Sequence, residues 1–298
     1  MDIEAHRKQY LEEIASSSDA SPKATSAESI AAYVATGAPE TETVCDMIAR
    51  LPLDDDGFEA TVRALLGMLG DTILETPVRM AAFSQLGAAE FRSARFAPFH
   101  ADYIALLRRL AVDTDKQIRQ AALERLALTN DAEAQKLLRE GLQKVRKPLV
   151  PDAKAVQLLA ADDHSGALQI FRELAVSGKG KTREQALRAL AADKQSVPLF
   201  QEIATNKDEA GPLREIAVVN LKGTAPASFA EVARRVALDP DNSDRLRATA
   251  VSALAHAQGT GQTVSDPLRQ ELNALHGATQ SRALKSSIRR FTKASRSE

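Results

Sequence analysis

Residues 211–221 read GPLREIAVVNL and residues 243–254 read SDRLRATAVSAL. In both, an Arg is followed three positions later by Ala and four after that by Leu: Arg214-Ala217-Leu221 and Arg247-Ala250-Leu254. Working outward, the same triplet stands at Arg183-Ala186-Leu190, Arg119-Ala122-Leu126 and Arg79-Ala82-Leu86. A degenerate copy, Asp152-Ala155-Leu159, fills the wide gap, and a weak one, Ser281-Leu284-Ile288, ends the series. The successive steps are 40, 33, 31, 31, 33 and 34 residues, a spacing that marks one supersecondary unit repeated along the chain.

The residue before each Arg (Val78, Ile118, Thr182, Leu213, Leu246) shares a stripe with the positions three, four and seven after it. That period is helical. Thr76-Pro77, Thr114-Asp115, Gly211-Pro212 and Ser243-Asp244 mark helix starts, by a capping side chain or by Pro at the first helical position. Intervening segments such as Leu168-Phe171-Leu174, Leu199-Ile203 and Phe229-Val232-Val236 form partner helices with their own apolar face. The loops SGKGK, NKDEAG, DPDNS and AQGTGQ separate the pairs. Nothing alternates at period two for long enough to require a strand.

Composition agrees with close helix packing. Hydrophobic residues are 44% of the 298, aromatics 4%, and Trp is absent. The apolar content is therefore mostly small or aliphatic. Lys plus Arg number 39 and Asp plus Glu 40, so the chain lacks the broad basic field of a dedicated nucleic-acid binder. The charge is uneven: residues 1–60 carry 4 basic and 13 acidic side chains, residues 282–298 carry 6 and 1. Opposite ends of this kind allow end-to-end self-association. The single Cys45 excludes an intramolecular disulfide, and the acidic N-terminus lacks the features of a signal peptide, which implies a cytoplasmic protein without a membrane span.

The segments TPVRMAAFSQL, KQIRQAALERL, GPLREIAVVNL and SDRLRATAVSAL resemble the second helix of HEAT repeats. The resemblance implies an all-α fold, an α-α superhelix of stacked antiparallel helix pairs. The expected organisation is an N-terminal helix and linker over 1–25, irregular helical repeats over 26–75, the repeat solenoid over 76–292 and a disordered basic tail over 293–298; within the first 70 residues, 27–36, 41–50 and 58–70 read as helices. The resemblance also implies that Arg79, Arg119, Arg183, Arg214 and Arg247 form a structural ladder with Asp or Asn of adjacent turns. It further places the Arg-bearing helices on the concave side. The positions one and five after each Arg then face outward there: Gln120 and Glu124, Glu184 and Arg188, Glu215 and Val219, Ala248 and Ser252. Of these, Gln120, Glu124, Glu184, Arg188, Glu215 and Ser252 are the candidate partner-binding residues.

Catalytic and cofactor motifs are weak. The run Ala175 to Thr182 ends in Gly-Lys-Thr like a phosphate-binding loop, but Ala stands where the pattern needs Gly, and the preceding LQIFRELAV reads as a helix; a flexible loop with Thr182 capping the next helix is the better reading. His6, His100, His164, His256 and His276 are scattered, with no His-Glu pair of the sort that di-iron hydroxylases built on HEAT repeats require. Asp54-Asp55-Asp56-Gly57 lacks the ligand spacing of a calcium loop. Cys45 lies on a buried helical face, and no Gly-x-Ser-x-Gly occurs. The expectation is a non-catalytic scaffold without cofactor or metal, holding a protein or peptide on its concave face. Two alternatives stand beside it. One is nucleic-acid binding, as in HEAT-like DNA glycosylases, suggested by Lys144, Arg146, Lys147, Lys179, Lys181 and the basic tail; the other is an accessory role like that of phycobilisome lyase-type proteins.

Overall fold

The structure is a computed structural model that describes residues 26, 30, 40–53, 57–162, 166–258 and 266–294. The readings for residues 1–25 and for His6, His164 and Asp54 to Asp56, most of the 27–36 helix, and the tail beyond 294 lie outside these residues. Among the described residues every regular element is helical and no strand occurs. The chain divides into two compact units, 1–126 and 127–298, a boundary inside the stretch that reads as one run of repeats.

In the first unit the helices are α1 (Thr41–Ala49), α2 (Phe58–Gly70), α3 (Thr76–Glu90), the short α4 (Ser93–Phe96), α5 (His100–Leu110) and α6 (Lys116–Leu128), whose last two residues pass the boundary. α2 pairs with α3, α1 lies along α3, and α2 along α5. The second unit continues with α7 (Ala132–Leu142), α8 (Asp152–Leu159), α9 (Leu168–Ser177), α10 (Gly180–Ala189), α11 (Val197–Thr205), α12 (Gly211–Thr224), α13 (Pro226–Leu238), α14 (Asp244–Gln258), α15 (Asp266–Ala278) and α16 (Arg282–Ala294). Here α7 pairs with α8, α9 with α10, α11 with α12, α13 with α14 and α15 with α16. The second members stack in series, α8 on α10 on α12 on α14 on α16. The first members do the same from α11 through α13 to α15. Within this unit two helical layers share one core.

The repeated triplet supplies buried side chains in both units. Ala82, Leu86, Ala122, Leu126, Ala186, Leu190, Ala217, Leu221, Ala250 and Leu254 are all buried. The Ala positions admit the neighbouring helix, while Phe171, Phe200 and Phe229, fully buried on α9, α11 and α13, fill the space between layers. Each such ring contributes about 1.5–3 kcal/mol of burial.

Caps set the helix boundaries. The Asp115 carboxylate accepts from the backbone N–H groups of Gln117 (2.7 Å) and Ile118 (2.9 Å) at the start of α6. The second of these bonds is the main reason its carboxyl sits below the usual range. Pro212 stands in the first turn of α12, where a missing N–H costs nothing. The Ser243 hydroxyl accepts from Leu246 N–H at α14.

Two sequence readings are corrected by this connectivity. NKDEAG, DPDNS and SGKGK do not separate pairs; they join the two helices within a pair, α11 to α12, α13 to α14 and α9 to α10. The last is not a long flexible loop capped by Thr182 either. Helix α10 already starts at Gly180, leaving Gly178 and Lys179 as the connection. A tight turn this short needs glycine: a Cβ on Gly178 would lie 2.3 Å from the Leu174 carbonyl oxygen, and Gly180 has φ +52°. Cys45 is also half-buried rather than buried.

Candidate functional site

The five repeated arginines sit where each second helix begins its contact with the first. Arg79 Nε donates to the carbonyl of Leu69 (3.1 Å), Arg214 Nε to that of Ala204 (3.2 Å), and Arg247 Nε to that of Ala237 (3.0 Å). Each acceptor belongs to the last turn of the preceding helix. There the carbonyls lack intrahelical partners and the helix dipole is negative, so a guanidinium both hydrogen-bonds and neutralises that end. Arg183 does the same to Ala175 (2.8 Å).

The remaining guanidinium nitrogens diverge. Arg79 pairs with Asp113 at 2.6 Å, both side chains nearly fully buried. Arg183 binds Glu209 with two bonds of 2.8 and 2.6 Å. Arg247 reaches Asp244 of its own helix, and Arg119 donates to the carbonyls of Asp113 and Thr114. In the degenerate copy the sign is reversed, and Asp152 accepts from Lys144 at 2.7 Å. Ser281 lies just before α16, where its hydroxyl accepts from Leu284 N–H.

A companion feature escaped the sequence reading. Asp71, Asn206 and Asp239 stand eight residues before Arg79, Arg214 and Arg247. Each side chain accepts from the N–H two residues on, forming the turn that lets the chain reverse. That spacing was available in the sequence as a second periodic signal. No comparable periodicity marks Arg172, which grips Asp193 with bonds of 2.7 and 3.0 Å. Ser196 adds a hydroxyl bond of 2.6 Å, and the Asp193 carboxyl is lowered to about 2, chiefly by Arg172.

Of the candidate partner-binding residues, Gln120 donates to Glu124 (3.0 Å) on α6, and Arg188 pairs with Glu184 (3.3 Å) on α10. Glu215 of α12 accepts from Arg245 of α14 at 2.9 Å. Ser252 of α14 and Ser287 of α16 share a hydrogen bond of 2.8 Å. Val219 is exposed at 46%, but Ala248 is buried at 8%.

Around these last residues the second unit has an open groove of about 1020 Å³ across α12, α14 and α16. Its floor is small: Ala248, Ser252, Ala253 and Ser287. Its cations are Lys222, Arg245 and Arg290, with the exposed His256 at the same wall. A groove of about 710 Å³ in the first unit, between α2 and α5, is electrically balanced instead: it holds Arg63 and Arg109 beside Glu59 and Asp102, and Arg63 is already paired with Glu59. Among the described residues no group of three or more His, Cys, Asp or Glu could hold a metal ion, and no helix is long and apolar enough to cross a membrane. The Cys45 thiol is pushed up, first by burial and then by Asp46, Glu75 and Glu42, which disfavours the thiolate.

Helix pairs stacked through like members define the class: an all-α fold of the HEAT-like solenoid type. No family model matches the chain, and no curated protein matches it. Among solved structures it is similar to human deoxyhypusine hydroxylase in complex with glycerol, with 15% identity and a TM-score of 0.35 over 80% of this chain and 97% of that one. It is also similar to the complex of CpcE and CpcF of phycocyanin lyase from Nostoc sp. PCC7120, with 19% identity and a TM-score of 0.37 over 85% and 95%. The expectation of a chain that is not an enzyme is withdrawn beside these two structures, one of a hydroxylase and the other of a lyase. The missing nucleophile and metal motifs bear only on sites built from neighbouring residues, and stacked helices can also bring together side chains distant in sequence.

Proposed function

We propose that the chain binds a segment of a partner protein along the face formed by the Arg-bearing helices of its second unit, with the groove across α12, α14 and α16 as the principal seat. The supporting observation is the groove itself. It is open, runs over three consecutive second-layer helices, and has a floor of Ala and Ser side chains that lets another backbone come close. Small-molecule sites of comparable volume enclose most of the ligand surface, whereas an open trough suits a longer occupant whose affinity is spread over several repeats. On α10 and α12 beside it, Glu184 and Arg188 pair with each other and Glu215 pairs with Arg245 of the groove wall, so both signs of charge occur on these helices.

The test is charge reversal at Glu184, Arg188 and Glu215 together, followed by partner capture and by circular dichroism. Helicity and melting should be unchanged while capture falls. Retained capture by a folded triple variant removes this face from consideration.

A further inference from the structure

The electrostatics of the groove point to the chemistry of its occupant. The chain has 40 acidic side chains against 39 basic, yet the groove is lined by Lys222, Arg245 and Arg290 and by no carboxylate. Arg245 has its counter-ion in Glu215. Lys222 and Arg290 form no ion pair among the described residues. Between their helices α14 presents Ala and Ser, so the two charges face a trough whose other polar side chains are hydroxyls, including Thr249 and Ser281, and the His256 imidazole. Hydroxyls can donate to an anion but carry no charge to neutralise these cations. Two cations left without counter-ions on a concave, partly low-dielectric wall raise the local potential and favour an anionic ligand.

From this we infer that the groove recognises an acidic protein segment, with Lys222 and Arg290 pairing its carboxylates while its backbone lies over the small floor. The inference rests on the reading of the groove as a protein-binding seat and specifies the partner within it. A protein segment is favoured over nucleic acid because no Phe, Tyr or Trp lines the groove, which leaves bases only the His256 ring and the guanidinium groups to stack on, while the small Ala and Ser floor suits a close peptide backbone.

The experiment is fluorescence anisotropy on the full chain with three labelled probes: a short Glu-rich peptide, the same peptide with Gln for Glu, and a short single-stranded DNA. Four proteins are compared. They are wild type; Lys222→Glu with Arg290→Glu; the matched control Lys194→Glu with Arg235→Glu, two exposed cations away from the groove; and Ala283→Trp, which fills the groove from an exposed position without changing charge. The Glu-rich peptide should bind wild type and the matched control alike. It should lose about tenfold or more in Kd on Lys222→Glu with Arg290→Glu and on Ala283→Trp, and weaken as salt rises to about 0.15 M.

Equal loss on the matched control overturns the inference, because net charge alone would then explain binding. Tighter binding of the DNA with the same groove dependence overturns it in favour of nucleic acid. If the Gln peptide binds as well as the Glu peptide and Ala283→Trp blocks both, the groove stands as a protein seat and the acidic specificity falls. If neither peptide responds to Ala283→Trp, the groove reading falls with it.

Discussion

Arg79 shows what the repeated position does physically. Its Nε holds the C-terminal end of α2 at Leu69, and its terminal nitrogens hold Asp113 between α5 and α6. Both charges are out of water, at 4% and 6% exposure, so removing one leaves the other buried and uncompensated. Arg79→Ala is therefore expected to cost roughly 3 kcal/mol or more. Arg183, whose pair with Glu209 is 18–19% exposed, should cost less on the same substitution, since water can reach the abandoned carboxylate. Urea unfolding of the two variants checks the order. An equal or reversed cost would mean that the carbonyl bonds, which both arginines make, outweigh the buried ion pair.

Between elements, the Arg172–Asp193 contact fastens α9 to the turn that leads into α11. Because the Asp193 carboxyl is lowered from 3.8 to about 2 in the folded state, its ionised form is favoured by folding. The stabilisation is present in full above the unfolded value, near pH 4, and is lost as pH falls through about 2. Asp193→Asn should accordingly unfold at lower denaturant than wild type at neutral pH, and the gap should narrow steadily between about pH 4 and pH 2. Denaturant midpoints across that window provide the measurement; a gap independent of pH would show that packing, not charge, holds the junction. The acid dependence that remains in Asp193→Asn belongs to the other lowered carboxyls, among them Asp115 and Asp239.

On the scale of the molecule, the described residues form two compact units, each with a core of its own. Ala186 lies in the second, completely buried between helices. Ala186→Asp should cost about 3 kcal/mol or more by burying a charge with no counter-ion. Arg79 acts in the first unit and shares no partner with Ala186. The combined variant should therefore lose the sum of the two single costs to within about 0.5 kcal/mol. A large departure from additivity, read from the denaturation midpoints, would mean that the two sites are energetically coupled.

The repeating Arg-Ala-Leu triplet and the helix-start signals were enough, without coordinates, to reach the all-α class and the stacking of helix pairs. Both depend on short-range periodicity: an apolar stripe has to be buried, and only like neighbours repeated at the same interval can bury every copy. The same periodicity sets Arg188, Glu215 and Ser252 opposite the apolar stripe of their helices. It could not say that Glu215 is tied to Arg245, that Arg172 finds Asp193, or that Ser252 bonds to Ser287, because those contacts join residues 21 to 35 positions apart. The turn at Gly178 and Gly180 was misread for a related reason. Glycine marks where a chain bends, but how short the bend is depends on how the two helices pack. Above all, the carboxylate-free trough was hidden, since its cations come from three separate helices and their charge has meaning only once packing has decided which side chains share a wall and which already have a counter-ion.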